Sequence, residues 1–297
     1  MSHNQGRHTA GDIGPEPREA TRLESDQEIR QALQARRARL AARAPAAGKA
    51  GPAKVSATES AEVEAKAERP TQRPPTAMLC ILDDGKLDGE WVRLRADRTV
   101  IGRTEGDIRI PHDGLVSGRH AEIVRQRGAK GYRWLLVDLQ STNGTFVRIG
   151  GSLLRHGNEL LIGAGRYRFE AGAAAGLPGP AAPGAPLQTT QAWANQPVGS
   201  LVPSLVETTA AGPVQRFTLM LPEYWVGRDP QGCPITRPQD DLVNARHARL
   251  YRDAGGQWHV ENNKSLNGLW LRIVEPMPLG GGCQFRAGEQ RFLFRGK

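Results

Sequence analysis

The sequence predicts an all-β fold: two small β-sandwich domains joined by a flexible Pro/Gly/Ala linker, behind a largely disordered N-terminal region. Three observations carry this. First, short strand-like segments recur at close spacing between Gly, Asn and Asp turns, the pattern of a sandwich or barrel. Second, the aromatic residues fall into blocks. Six lie between Trp91 and Phe169, nine between Phe217 and Phe294, Trp193 stands alone, and none precedes position 91. Third, the two blocks read as copies of one another.

Proline runs opposite to the aromatics, with seven in residues 1–75, one (Pro111) in 76–172, seven in 173–213 and six in 214–297. A segment without aromatics has little apolar area to set against the entropy of ordering its chain. The expected division is therefore 1–75 disordered, 76–172 a first domain, 173–213 a flexible linker and 214–297 a second domain.

Taken in order, residues 1–75 are polar and rich in Ala, Arg, Glu and Pro. One helix is expected there, at about 25–44. Ser25 and Glu28 have capping-box spacing, acidic residues come early and Arg36, Arg37, Arg39 and Arg43 come late, which suits the helix dipole. Pro45 ends it. In the first block the expected strands are Met78–Leu82, Trp91–Arg95, Thr99–Ile101, Asp107–Ile110, Ala121–Arg125, Trp134–Val137, Thr145–Ile149 and Tyr167–Phe169. Turn signals between them include Asn143-Gly144, Gly150-Gly151 and His156-Gly157-Asn158. The linker reads as extended and flexible. The second block offers Val214–Leu221, Trp225–Gly227, Arg246–Arg252, Trp258–Glu261, Gly268–Ile273 and Gln290–Phe294.

Composition bounds the function. The chain has 297 residues, a formal charge of +9 and a mean hydropathy of −0.50. No apolar run approaches the ~20 residues of a membrane span, and the first residues lack a signal-peptide core. Cys80, Cys233 and Cys283 are few, odd in number and far apart, which argues against a disulfide framework or a cysteine zinc site. A cytoplasmic protein is expected. Arg outnumbers Lys 33 to 7, as in a GC-rich, bacterial genome. The charge splits as +3, +3, −1 and +4 over the four segments, so it does not concentrate as a nucleic-acid footprint would.

The copies align through three motifs. Val100-Ile101-Gly102-Arg103 matches Trp225-Val226-Gly227-Arg228. Val116-Ser117-Gly118-Arg119-His120-Ala121 matches Val243-Asn244-Ala245-Arg246-His247-Ala248. Ser141-Thr142-Asn143-Gly144-Thr145-Phe146 matches Ser265-Leu266-Asn267-Gly268-Leu269-Trp270. In the first copy these place a guanidinium, two hydroxyls and a carboxamide in loops at strand ends, where binding residues concentrate. The set is rich in donors, which suits a phosphate, a ligand that offers acceptor oxygens only; Arg matches two of them with its planar fork. No carboxylate pair, metal cluster, phosphate-binding P-loop or nucleophile elbow accompanies the set. It reads as recognition without catalysis, and no cofactor or metal is expected.

Gly-Arg, then Ser-x-x-His, then Ser-Thr-Asn-Gly-Thr, in this order and spacing, resembles the forkhead-associated (FHA) domain, over about 78–170 and more weakly over 214–296. The resemblance implies an eleven-stranded sandwich whose loops bind phosphothreonine peptides. It implies that Arg103 and Ser117 contact the phosphate, with Gly118 adding its backbone amide. Thr142 would belong to the phosphate-side loop and Asn143 would grip the peptide main chain. Gly102, His120 and Gly144 would be architectural. Arg119 has two readings, a peptide contact or an ion pair with Asp113 or Asp138.

The second-copy equivalents are Arg228, Asn244, Arg246, His247, Leu266 and Asn267. Leu266 cannot donate to phosphate and Asn244 is longer than serine, so two hydroxyls are gone. At ~1.5–3 kcal/mol for each hydrogen bond to a charged group, their loss would weaken phosphate binding by more than ~100-fold. An altered ligand or a protein-docking role is the other expectation for this copy.

The function expected is a phosphothreonine-reading adaptor in Ser/Thr kinase signalling, its partner a kinase or a kinase substrate. A second expectation is self-recognition, with Thr208 or Thr209, placed in an exposed linker, phosphorylated and docking into the first domain. A third class is a scaffold or nucleic-acid-associated protein that uses the basic N-terminal helix.

Overall fold

The computed structural model describes residues 21–35, 76–172 and 202–296, apart from 26, 32–33, 84–85, 87 and 129–130. Twenty strands are present among them. The first repeat supplies β2 (Met78–Leu82), β3 (Gly89–Arg93), β4 (Arg98–Gly102), β5 (Ile108–Arg109), β6 (Ala121–Gly128), β7 (Gly131–Asp138), β8 (Thr145–Leu153), β9 (Glu159–Ile162) and β10 (Gly165–Glu170). The second supplies β11 (Ser204–Thr209), β12 (Gly212–Thr218), β13 (Glu223–Gly227), β14 (Ile235–Thr236), β15 (Ala248–Arg252), β16 (Trp258–Asn262), β17 (Leu269–Arg272), β18 (Met277–Leu279), β19 (Gln284–Ala287) and β20 (Gln290–Arg295). A short β1 (Thr21–Leu23) precedes both. No helix among the described residues is long and apolar enough to cross a membrane.

The strands make two sandwich lobes, and each lobe draws on both repeats. In the first lobe one sheet runs β5-β4-β6-β7-β18. The other runs β3-β2-β20-β19 and ends on the first half of β8. In the second lobe one sheet runs β12-β11-β10-β9-β17, and the other runs β14-β13-β15-β16 and ends on the last residues of β8. The C-terminal strands have thus changed places: β18, β19 and β20 complete the first lobe, while the end of β8 with β9 and β10 completes the second.

The crossover is the antiparallel pair β8–β17, where Ile149 faces Leu269 and Val147 faces Leu271. Gly150-Gly151, expected as a turn, instead continues β8 as extended chain. Without a side chain, glycine adopts either conformation readily, and here the pairing of β8 with β17 and β16 selects the extended one. Each lobe consequently counts ten described strands where the family resemblance implied eleven.

Alternation of buried and exposed residues drives the assembly. Phe285, Phe292 and Phe294 of the second repeat are fully buried, and Phe294 lies 5.8 Å from the Trp134 ring of the first. Tyr167 and Phe169 of the first repeat are equally buried, and the Tyr167 hydroxyl accepts from Arg237 of the second at 3.3 Å. One cluster of buried side chains runs through both lobes. The three cysteines are buried free thiols.

One boundary moves. The second repeat begins at β11, so residues 204–213 belong to a hairpin and not to the linker; residues 173–201 lie outside the described residues. Thr208 and Thr209 therefore sit in β11. The Thr208 hydroxyl donates to the Arg166 carbonyl at 3.5 Å, and Thr209 is tied to Gly212 and Ala211 at the hairpin turn. Strand pairing on both sides of Thr208 removes the exposed linker on which self-recognition depended.

The N-terminal region also holds order. The capping box forms, with Glu28 Oε2 accepting from Ser25 N–H at 2.8 Å and Ser25 Oγ accepting from Glu28 N–H at 3.3 Å, and residues 27–31 and 34–35 are helical. Just before it, β1 pairs with Ile149–Ser152 of β8. Lacking aromatics, the segment borrows a core: Ile29 is buried and Leu23 packs on the shared cluster. Arg36 and the rest of the arginine-rich stretch lie outside the described residues.

Candidate functional site

Three loops meet at one end of the first lobe, after β4, before β6 and before β8. Gly102 closes β4, and its place is set by crowding. A Cβ there would stand 2.1 Å from the Gly118 carbonyl oxygen and 2.3 Å from that of Glu105. The next residue, Arg103, ties its N–H to the Ser117 carbonyl at 2.9 Å. Its guanidinium is exposed, with one long contact of 3.4 Å to the Gly114 carbonyl.

The buried His120 joins the loops. Its Nδ1 accepts from Ser117 N–H at 3.0 Å and its Nε2 lies 3.2 Å from the Gly144 carbonyl. A backbone N–H can only donate, so Nδ1 is the unprotonated nitrogen and Nε2 donates. Burial pushes this imidazole below its ordinary pKa, in keeping with the neutral form. Close approach thus sets the place of Gly102, and His120 bonds to two of the loops.

The Ser141–Gly144 turn is held from behind. Ser141 Oγ donates to Asp138 at 2.5 Å and accepts from Gly144 N–H at 3.0 Å. Gln140 just before the turn is left-handed, at φ 57°, and Gly144 has φ 83°, where glycine is favoured. On this turn Thr142 is exposed. Its N–H donates to Ser117 Oγ at 3.1 Å, and its hydroxyl makes no hydrogen bond among the described residues. Asn143 Nδ2 donates to the Leu115 carbonyl at 2.9 Å, leaving its side-chain oxygen free to accept.

Arg103, Ser117, Gly118, Thr142 and Asn143 are therefore brought together. Arg119 is exposed and makes no ion pair with Asp113 or Asp138. Those carboxylates are engaged elsewhere, Asp138 by Ser141 and Thr145, and Asp113 by the backbone of Leu115, Glu289 and Gln290. This removes the ion-pair reading of Arg119. Sequence reasoning missed the supporting parts, Asp113, the Leu115 carbonyl and the left-handed Gln140. The one available signal was that Asp113 and Asp240 occupy equivalent places in the repeat.

The second lobe repeats the frame. Asn244 N–H donates to His247 Nδ1 at 3.2 Å and His247 Nε2 lies 3.0 Å from the Gly268 carbonyl. Asn267 Nδ2 donates to the Leu242 carbonyl at 2.8 Å. Asn244 takes the structural place of Ser117, its Oδ1 accepting from Leu266 N–H at 3.4 Å. The chemistry carried on this frame differs. Arg228 is ion-paired with Asp241 at 3.1 Å, Arg246 lies 5.3 Å above the Trp225 ring, and Leu266 offers no donor. A cleft of about 1150 Å³ opens beside these loops, walled on its far side by Arg22, Glu24, Glu28 and Gln31 of the N-terminal segment.

Comparison with known proteins agrees with the repeat. The FHA domain family matches at residues 99–163 and again at 224–288. The FHA domain-containing protein FhaB of Mycobacterium tuberculosis is 32% identical over 76 residues, 26% of this chain and 46% of FhaB. The E3 ubiquitin-protein ligase RNF8 of Rattus norvegicus is 37% identical over 57 residues, 19% of this chain and 10% of the ligase. The chain thus spans less than half the length of these relatives. Among solved structures, Mycobacterium tuberculosis EmbR in complex with a low-affinity phosphopeptide is 27% identical, with 30% of this chain and 22% of EmbR covered and a TM-score of 0.21. A structure from work on phosphothreonine-dependent FHA domain interactions is 17% identical, covering 75% of this chain and 97% of that one, with a TM-score of 0.26. The FHA domain model thus matches this chain twice, in tandem and on the same motifs that frame the two loop clusters, and the second match carries Asn244 and Leu266 where the first has Ser117 and Thr142.

Proposed function

We propose that the protein is a non-enzymatic adaptor that binds a phosphothreonine-bearing protein through the first lobe. The supporting observation is that hydrogen bonds hold the loops carrying Arg103, Ser117, Gly118, Thr142 and Asn143 together at one end of the first lobe. The set offers donors to a dianion, and its frame is fixed by hydrogen bonds before any ligand arrives. Such preorganisation lowers the cost of binding. Arg103 and Ser117 take the phosphate, Thr142 and Gly118 complete its shell, Asn143 holds the peptide main chain, and Arg119 reaches residues beside the phosphothreonine. The partner is a Ser/Thr kinase or one of its substrates.

In the second lobe the same frame carries neither hydroxyl, and its arginine already has a carboxylate partner. Its ligand is therefore not a tightly held phosphothreonine.

A phosphothreonine peptide array probed with the full chain tests this. Arg103→Ala is expected to lower binding to the background of the unphosphorylated peptides. Equal binding of phosphorylated and unphosphorylated peptides by the unaltered chain would sink the proposal.

A further inference from the structure

The loops of each recognition face are held by groups of the other repeat. In the first lobe, Asp113 Oδ1 fixes the loop by accepting from Leu115 N–H at 2.9 Å. Its Oδ2 accepts from Glu289 N–H at 2.7 Å and Gln290 N–H at 3.2 Å, in the β19–β20 turn of the second repeat. Arg272 of β17 lies against Gly144, so closely that a Cβ there would stand 2.5 Å from its Nε. The same guanidinium donates to Glu159 at 3.0 Å.

The second lobe repeats the aspartate and arginine placements. Asp240 accepts from Leu242 N–H at 3.0 Å and from Ala164 N–H of the first repeat at 2.9 Å. Arg148 of β8 lies against Gly268, where a Cβ would stand 2.5 Å from its Nε. Its Nη2 donates to the carbonyls of Ser265 and Leu266 at 3.2 Å each. Arg148 and Arg272 are equivalent positions of the two copies, so the arrangement has approximate two-fold symmetry about the β8–β17 pair.

We infer that Arg272 and Arg148 are positioning residues for the ligand turn of the opposite repeat, and that strand exchange makes the two recognition faces one interlocked unit. For the first face this rests on the phosphothreonine reading above. Arg272 acts through the turn: its charge is met by Glu159, while its planar group fills the space behind Gly144. Gly144 follows Asn143 directly, and its carbonyl is the one that His120 holds. A turn that loses this backing can shift, carrying Thr142 and Asn143 off the geometry that phosphate and peptide need.

Two experiments on the full chain test the inference. In the first, a site for a sequence-specific protease is inserted within residues 173–201 and cut. The halves are expected to co-elute in native gel filtration and to part only in denaturant. Halves that part under native conditions would overturn the exchange.

In the second, Arg272→Ala and Arg272→Lys are compared with the unaltered chain by the amide resonances of Thr142, Asn143 and Gly144 without ligand, and by affinity for an array-selected phosphothreonine peptide. Arg272→Ala is expected to move the three amides and weaken the peptide about tenfold, within the usual range of coupling between sites. Arg272→Lys, which keeps a charge for Glu159 but not the planar group, is expected to recover part of the affinity. Unmoved amides with unchanged affinity in Arg272→Ala would overturn the positioning role. Should Arg272→Ala fail to fold, Arg272→Lys decides alone, and its matching the unaltered chain in both readouts would also overturn that role. Moved amides in a protein whose unaltered form binds no phosphothreonine peptide would sustain the positioning role and sink the phosphothreonine reading.

Discussion

Gly102 and the paired histidines show how little freedom single residues have beside the two loop clusters. Two backbone oxygens lie within 2.3 Å of where a Cβ on Gly102 would sit. Gly102→Ala is therefore expected to destabilise the protein by about 2–3 kcal/mol, as overpacking does, seen as a lower denaturant midpoint. His120 and His247 are both held below the ordinary imidazole range, chiefly by burial. Their folded forms stay neutral while the unfolded chain takes up protons as pH falls through about 6.5. The unfolded state then binds more protons, so stability declines as pH falls below that value. The denaturation midpoint should be lower at about pH 5.5 than at about pH 7.5; a midpoint that rises would contradict this assignment. At this scale the sequence was informative through its resemblance to a known family, which implied an architectural part for Gly102 and His120. It was silent on Asp113, whose partners come from a turn 176 and 177 positions away.

Among the elements, β1 and the helix start show what a local reading cannot reach. The capping box at Ser25 and Glu28 is written in adjacent residues and is present. That the segment docks was not legible, because its stability comes from elsewhere. Glu24 is buried and meets the buried Arg148 at 2.5 Å, with Asn262 as a further donor. Removing one member of a buried ion pair leaves the other uncompensated, at about 3–5 kcal/mol. Glu24→Ala should therefore lower stability by about that amount, measured by denaturant unfolding. An effect below about 1 kcal/mol, the scale of exposed pairs, would argue that β1 is detached in solution. Strands β9, β18 and β19 escaped sequence reading for another reason. Each is four residues or fewer, too short to show period-two alternation against the surrounding turns.

For the whole molecule, the shared core and exchanged strands predict one cooperative unit. Thermal unfolding followed by calorimetry should show a single transition with calorimetric and van't Hoff enthalpies in agreement. Two separable transitions, one for each repeat, would mean that the lobes fold independently. The sequence alone determined that the chain is all-β, that it is duplicated, and that a donor-rich set gathers at strand ends. Those features depend on which residues alternate and which loops carry glycine, and they hold for either partner a strand finds. The tertiary structure decided which copy each C-terminal strand completes. The two copies carry matching motifs, so the sequence pattern does not tell a closed repeat from an exchanged one. The difference lies at Gly150-Gly151, which suits a turn or an extended strand. The choice falls to long-range partners, with β17 beside β8 and the β1 segment, anchored through Glu24 to Arg148, along its far end.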